Sequence, residues 1–233
     1  MKKDDLLVVI PTYNNPQTIA QVVQDVLAHG YRLIVVDDGS DTPVASLLRE
    51  DERVSVVRHE HNQGKGEAII SGAKEVRKRG YRHFVSMDAD GQHLASQIET
   101  LLRACEADEI IIGARNFEIN HVPGGSKFGR WFSNFWACWD SEQTITDSLS
   151  GFRLYPVTIL DLDIPTKRFD WEMEVLVKHA WKGRLIKETP IECYYPKPEE
   201  RVSHFKKFWD TYAIVMVHVR LLPRKFYLKK RYQ

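Results

Sequence analysis

FVSMDADGQH, residues 84–93, is the stretch on which the reading of this chain turns. Phe84 to Met87 read as a short buried strand, followed at once by two acids one residue apart, Asp88 and Asp90, then Gly91, Gln92 and His93. Side chains alternate along a strand, so Asp88 and Asp90 share a direction if the extended geometry continues. Two carboxylates held together at the carboxyl end of a strand repel each other unless a cation lies between them. Such oxygen ligands suit Mg2+ or Mn2+, which reach proteins through one or two carboxylates and leave other positions to substrate phosphates. The plainer reading makes Asp90 the cap of a helix that begins near Leu94 and runs to Cys105.

Working outward, Leu6–Ile10 is a continuous apolar run, the pattern of a strand buried on both faces of a parallel sheet. PTYNNP follows, where Asn14 or Asn15 can cap a helix whose first position is Pro16 and whose apolar face is Ile19, Val22, Val23, Val26 and Leu27. Leu33–Val36 ends in DDGSD, and Val54–Val57 leads to Asn62-Gln63-Gly64-Lys65-Gly66 and a helix through Val76. Ile110–Gly113 makes a further strand. Strands alternating with helices at short intervals predict a doubly wound α/β sheet, with ligands outside the carboxyl ends of its strands. Four polar turns therefore converge on one rim. PTYNNP is not the glycine fingerprint of a dinucleotide site, and NQGKGEA is not a P-loop, though Lys65 on a glycine-rich turn can face phosphate.

After Arg115 the alternation stops. Residues 116–126 read as a loop over the rim. Trp131, Phe132, Phe135, Trp136 and Trp139 then share one helical face, read chiefly as core packing and alternatively as an aromatic wall for a lipid or sugar. DSLSGFRLY (147–155) is a polar turn entering a strand, Phe169–Gly183 is a helix, and Ile186–Tyr195 alternates like an edge strand. Glu172 and Glu174 are two apart on their helix, so at most one looks into the site.

The chain has 233 residues, 43% hydrophobic and 28% charged, and a formal net charge of +1, which offers no global case for nucleic acid. Residues 201–233 hold nine Lys/Arg against Asp210, a local +8. An apolar segment, Tyr212–Leu222, is closed by Pro223 and followed by RKFYLKKRY. This suits the anionic face of a membrane, the alternative being a core helix with a solvated basic tail. Cys105, Cys138 and Cys193 lack metal-ligand spacing and fit a reducing compartment. With no leader-like or membrane-spanning run, the expectation is a cytoplasmic protein, peripheral on the cytoplasmic face of a membrane.

PTYN, DDGS, NQGKGEA, DADGQH, GAR, SGFR and ERVSHFK, in this order over residues 6–210, resemble the inverting family 2 glycosyltransferases, most closely their dolichyl- or polyprenyl-phosphate mannosyltransferase branch. The resemblance implies a GT-A, Rossmann-like doubly wound mixed sheet with helices on both faces over residues 1–210, while the apolar and basic pattern of 211–233 predicts a C-terminal amphipathic helix and tail that associates with a membrane surface. It implies that Pro11, Thr12, Tyr13, Asn14, Asp37, Asp38, Lys65 and Asp88 hold a nucleotide sugar, and that Asp88, Asp90 and Gln92 bind Mg2+ or Mn2+. Arg115 would meet an acceptor phosphate, Glu174 rather than Glu172 would be the helix carboxylate, and Arg201 and Ser203 would close on the diphosphate. The implied reaction moves a hexosyl group from a donor of GDP-mannose or UDP-glucose type to a lipid-linked acceptor such as polyprenyl phosphate. An acceptor hydroxyl would need a base, with Asp147, Glu172 and Glu174 as candidates. The rivals are a nucleotidyltransferase that makes a nucleoside-diphosphate sugar, and a catalytically silent membrane-associated binding subunit.

Overall fold

In a computed structural model, residues 3–115, 124–194 and 207–228 are described. Among the described residues seven strands form one sheet: β1 (Leu6–Thr12), β2 (Leu33–Asp37), β3 (Val54–Arg58), β4 (His83–Ser86), β5 (Ile110–Arg115), β6 (Arg153–Pro156) and β7 (Ile186–Ile191). Their order is β3-β2-β1-β4-β6-β5-β7, and only β6 runs antiparallel to its neighbours, β4 and β5. The carboxyl ends of β3, β2, β1 and β4 thus lie along one edge, which gathers the four polar turns as expected.

The continuous apolar runs of β1 and β2 are explained by helices on both faces. On one side α1 (Ile19–Ala28) and α3 (Ile98–Ala104) cover Val8, Ile10, Leu33, Val35 and Val85; on the other α2 (Lys65–Lys78) and α5 (Trp171–Trp181) cover Val9, Ile34, Val36 and Phe84. Ile19, Val22, Val23, Val26 and Leu27 are all buried, each contributing roughly 1.5–3 kcal/mol relative to exposure.

Several boundaries differ from expectation. Helix α1 starts at Ile19 because the Asn15 carbonyl accepts from the Thr18 and Ile19 amides, so Pro16 lies in the preceding turn. The expected 94–105 helix is a 3-10 turn, Ala95–Gln97, followed by α3, and its leading amide, Ala95 N, donates to Asp25 Oδ2 of α1 at 2.8 Å. Asp90 is therefore no helix cap; its Oδ1 accepts from Gln92 N at 3.0 Å, two residues on. β7 is the edge strand but ends at Ile191. Helix α4 (Gly124–Ser141) begins inside the expected loop, whose residues 116–123 lie outside the described residues. Pro223 does not end the last helix, since α6 spans Lys207–Leu228. The proline deletes one backbone donor, and it lies on the exposed side of α6 with Val219, four residues earlier, where water can reach the carbonyl left over.

The aromatic stripe of α4 is only partly core. Trp136 packs inward and stacks on His218 of α6, whereas Trp131, Phe135 and Trp139 are about half exposed or more, at 60%, 47% and 50%. Helix α6 buries Ile214, Val217, His218 and Leu221, and exposes Trp209, Tyr212, Met216 and Val219. His218 Nδ1 lies 2.6 Å from the buried Asp140 Oδ2 of α4, and Arg220 pairs with Glu174 of α5. Among the described residues no helix is long and apolar enough to cross a membrane.

Candidate active site

The rim is assembled by polar side chains that tie one turn to the next. Asp37, at the end of β2, accepts from Ser40 N (2.9 Å), Val44 N (3.0 Å) and Arg58. Asp38 accepts from Gln63 N and Gly64 N, both at 2.8 Å, and pairs with His59 Nδ1 at 2.7 Å. Both carboxylates are buried, so they set the shape of the turns after β2 and β3. Asn14, with φ 52, donates its amide to Ser40 Oγ, and Thr18 Oγ1 donates to the Ala89 carbonyl at 2.5 Å, which joins the first turn to the aspartate turn. Pro11 and Thr12 are buried in β1, with Tyr13 half-buried beside them.

Lys65 is the first residue of α2. Gly64 before it has φ +105, a conformation that L side chains rarely adopt. Gly66 after it packs where a Cβ would fall 2.4 Å from Trp171 Cβ, so the amino ends of α2 and α5 touch. That approach brings Lys65 Nζ to 2.7 Å from Asp88 Oδ1 and 3.0 Å from Glu172 Oε2. Burial would lower the Lys65 ammonium, but Asp88 and Glu172 outweigh it and hold it above its usual value. Burial likewise favours protonating Asp88, and Lys65 and His93 overcome this to keep its carboxyl below the usual range. At Asp90 the balance goes the other way: burial and then the charge of Asp88 outweigh the Gln92 amide and the charge of Lys65 and push it up to about 6.

A carboxylate raised by its neighbour is one that a cation would stabilise, so the Asp88–Asp90 pair fits a divalent ion. Among the described residues no three His, Cys, Asp or Glu side chains form a self-sufficient metal set. An ion here would draw only part of its coordination from protein, as Mg2+ and Mn2+ do when phosphates supply the rest. Gln92 is half-buried on the same turn, and its carbonyl accepts from Tyr194 N at 2.8 Å. His93 stacks on Phe152 at 5.1 Å, and burial lowers it to about 4, so it is neutral near pH 7.

Arg115, at the end of β5, is gripped by Asp147: its Nε lies 2.8 Å from Oδ2 and its Nη2 2.9 Å from Oδ1. Glu174 is fully buried, accepting from Thr166 Oγ1 at 2.8 Å and pairing with Lys178 at 2.8 Å and with Arg220. The carboxylate of α5 that meets Lys65 is Glu172, consistent with two residues facing different ways on one helix. Arg201 and Ser203 lie outside the described residues.

Two residues escaped the sequence reading. Gly151 packs over the ion pair, where a Cβ would fall 2.4 Å from Asp88 Oδ2 and 2.7 Å from Lys65 Nζ. Arg153, fully buried in β6, donates to the carbonyls of Ser148, Ser150 and Glu172, each at 2.7 Å, and so pins the SGFR turn to the first turn of α5. Their signal was the SGFR string itself, a glycine and an arginine flanking a strand entry, which carries no geometry until α5 is placed.

Residues 7–154 match the model of glycosyl transferase family 2. The chain is 31% identical over 205 residues to undecaprenyl-phosphate mannosyltransferase from Micrococcus luteus, covering 80% of this chain and 82% of the relative. It is 29% identical over 216 residues to UDP-N-acetylglucosamine–dolichyl-phosphate N-acetylglucosaminyltransferase from Methanococcus voltae, covering 82% and 86%. Mannosyl-3-phosphoglycerate synthase from Rubrobacter xylanophilus superposes with a TM-score of 0.72 at 17% identity, covering 94% of this chain and 74% of that one. Glucosyl-3-phosphoglycerate synthase from Mycobacterium tuberculosis, in complex with Mn2+, UDP and glucosyl-3-phosphoglycerate, gives 0.66 at 15% identity, covering 92% and 78%. The mixed sheet is the GT-A type of α/β fold, and the chain belongs to glycosyl transferase family 2.

Proposed function

We propose that the protein transfers a hexosyl group, with inversion, from a nucleoside-diphosphate sugar of UDP or GDP type to polyprenyl phosphate at a membrane surface. The observation that carries this is the grouping of Asp88, Asp90 and Lys65 where β4 ends, against an α5 carboxylate and close to Arg115. Relatives named for undecaprenyl phosphate and dolichyl phosphate support the acceptor class, and a structural neighbour bound to Mn2+ and UDP supports the donor class.

Asp88, Asp90 and Gln92 would hold Mg2+ or Mn2+. When bound, the ion supplies charge stabilisation to the departing nucleoside diphosphate. Lys65 lies beside Asp88 and adds positive charge on that side. Pro11, Thr12, Tyr13 and Asn14 line the nucleotide side of the rim, while Asp37 and Asp38 keep its turns in place. Arg115, fixed by Asp147, presents a guanidinium to an acceptor phosphate.

The carboxylates themselves favour a phosphate over a hydroxyl. Asp147 is bound to Arg115, Glu172 to Lys65, and Glu174 to Lys178 and Arg220. A base committed to a cation is a poor proton acceptor, whereas an acceptor phosphate is already ionised and needs none. The half-exposed aromatic residues of α4, the exposed aromatic residues of α6 and the basic residues that follow Pro223 in the sequence support docking on an anionic membrane. On this reading residues 1–210 do the chemistry, and 211–233 add to the docking face.

The test is product analysis with Mn2+ or Mg2+, offering a panel of UDP- and GDP-sugars with polyprenyl phosphate and, in parallel, a nucleoside triphosphate with a sugar 1-phosphate. Release of nucleoside diphosphate together with glycosylated lipid supports the proposal; release of pyrophosphate from a triphosphate would favour the nucleotidyltransferase.

A further inference from the structure

Lys65 does more than add charge. Its ammonium lies 2.7 Å from Asp88 Oδ1, on one of the carboxylates that a divalent ion would use, and a hydrogen bond's length from Glu172 Oε2 at 3.0 Å. The other oxygen of Asp88 faces Gly151 and, at 3.9 Å, His93 Nε2, so the carboxylate is enclosed on that side. Glu172 is buried and its Oε1 has no hydrogen-bond partner among the described residues. Glu172 therefore has capacity to take more of the ammonium than it holds.

From this geometry we infer that Lys65 and the divalent ion compete for Asp88, and that Glu172 is the positioning residue that holds the Lys65 ammonium when the ion takes Asp88, until a diphosphate is there to receive it. This rests on the metal-and-nucleotide reading of the site. Two cations on one carboxylate repel, so the ion alone binds weakly. A diphosphate beside the ion offers Lys65 a new anionic partner, and Glu172 keeps the ammonium in place on its way there. Ion and nucleotide thereby reinforce each other beyond their direct contact, and by linkage the effect is reciprocal.

The experiment is calorimetric titration of the full chain with Mn2+ alone, and with Mn2+ in the presence of UDP or GDP. Lys65→Met keeps the length of the side chain without its charge, and should bind Mn2+ alone roughly tenfold more tightly. Glu172→Gln leaves Lys65 resting on Asp88 only, and should weaken binding of Mn2+ alone. In the Lys65→Met background the Glu172→Gln effect should vanish, because Glu172 acts through Lys65. An equal Glu172→Gln loss in both backgrounds, or no tightening in Lys65→Met, overturns the inference. Should Lys65→Met fail to fold, Glu172→Gln alone decides: it should lose affinity for Mn2+ alone yet stay within about twofold for Mn2+ with nucleotide, and an equal loss in both contradicts the competition. Wild-type protein that binds neither nucleotide with Mn2+ would instead remove the functional reading itself.

Discussion

Gly151 leaves no room for a side chain against Asp88: a Cβ built on it would fall 2.4 Å from Oδ2 of that carboxylate. No positive φ is recorded for Gly151, so the constraint is space and not backbone strain. Gly151→Ala should therefore fold, with the new methyl pushing Asp88 or Lys65 out of place. A shift of this kind costs about a hundredfold in kcat/KM, measurable as transfer at saturating acceptor. An alanine variant with wild-type turnover would mean that the ion pair can move freely.

Arg115 is held at two points by Asp147, a planar fork on a carboxylate. Arg115→Lys keeps the charge but cannot reproduce that geometry. The acceptor kcat/KM should fall roughly ten- to a hundredfold, while nucleotide affinity stays unchanged. A parallel loss in donor binding would place Arg115 on the wrong side of the reaction.

Trp131, Phe135 and Trp139 on α4 and Trp209 on α6 are exposed. Serine at any of the tryptophans should weaken binding to vesicles rich in anionic lipid about three- to tenfold, with little change in melting temperature. Tryptophan quenching by brominated lipid reads the insertion directly. Binding that survives Trp131→Ser combined with Trp209→Ser would exclude these residues from the membrane contact.

His179 is fully buried on α5, and burial lowers it to about 4 from the ordinary 6.5. Below pH 6.5 the unfolded chain takes up a proton there that the folded chain refuses, so stability falls as pH drops through this window, by up to about 3 kcal/mol. His179→Gln should flatten that part of the profile in denaturant melts between pH 7 and 4.5. A slope unchanged by the substitution would assign the acid sensitivity elsewhere.

The sheet was legible because β1 and β2 are buried on both faces and so read as unbroken apolar runs, and because each ends in a polar turn of distinct composition. Antiparallel β6 was harder: its LY core is short, and its pairing depends on β4 and β5, far away in the chain. Asp88, Asp90 and Lys65 stand out as candidates in the sequence because acids at a strand end and a lysine on a glycine turn carry their chemistry locally. Glu172 and Glu174 could not be ranked by spacing, since helical geometry says only that they diverge. Which one meets Lys65 is decided by the contact of Gly66 with Trp171 and by the Arg220 of α6 that takes the other. The α4 stripe has the spacing of a core face, and spacing cannot tell whether a neighbouring helix covers all of it; α6 covers Trp136 and leaves Trp131, Phe135 and Trp139 outside.

On the proposed function, Asp88 and Asp90 hold an activated sugar's diphosphate through a divalent ion. Calorimetry with UDP and GDP, with and without Mn2+, on the wild-type and Asp90→Asn proteins tests it most directly. One nucleotide should bind wild-type protein only when Mn2+ is present, and Asp90→Asn should abolish this gain. Equal binding with and without Mn2+, or a full metal effect in Asp90→Asn, would contradict it.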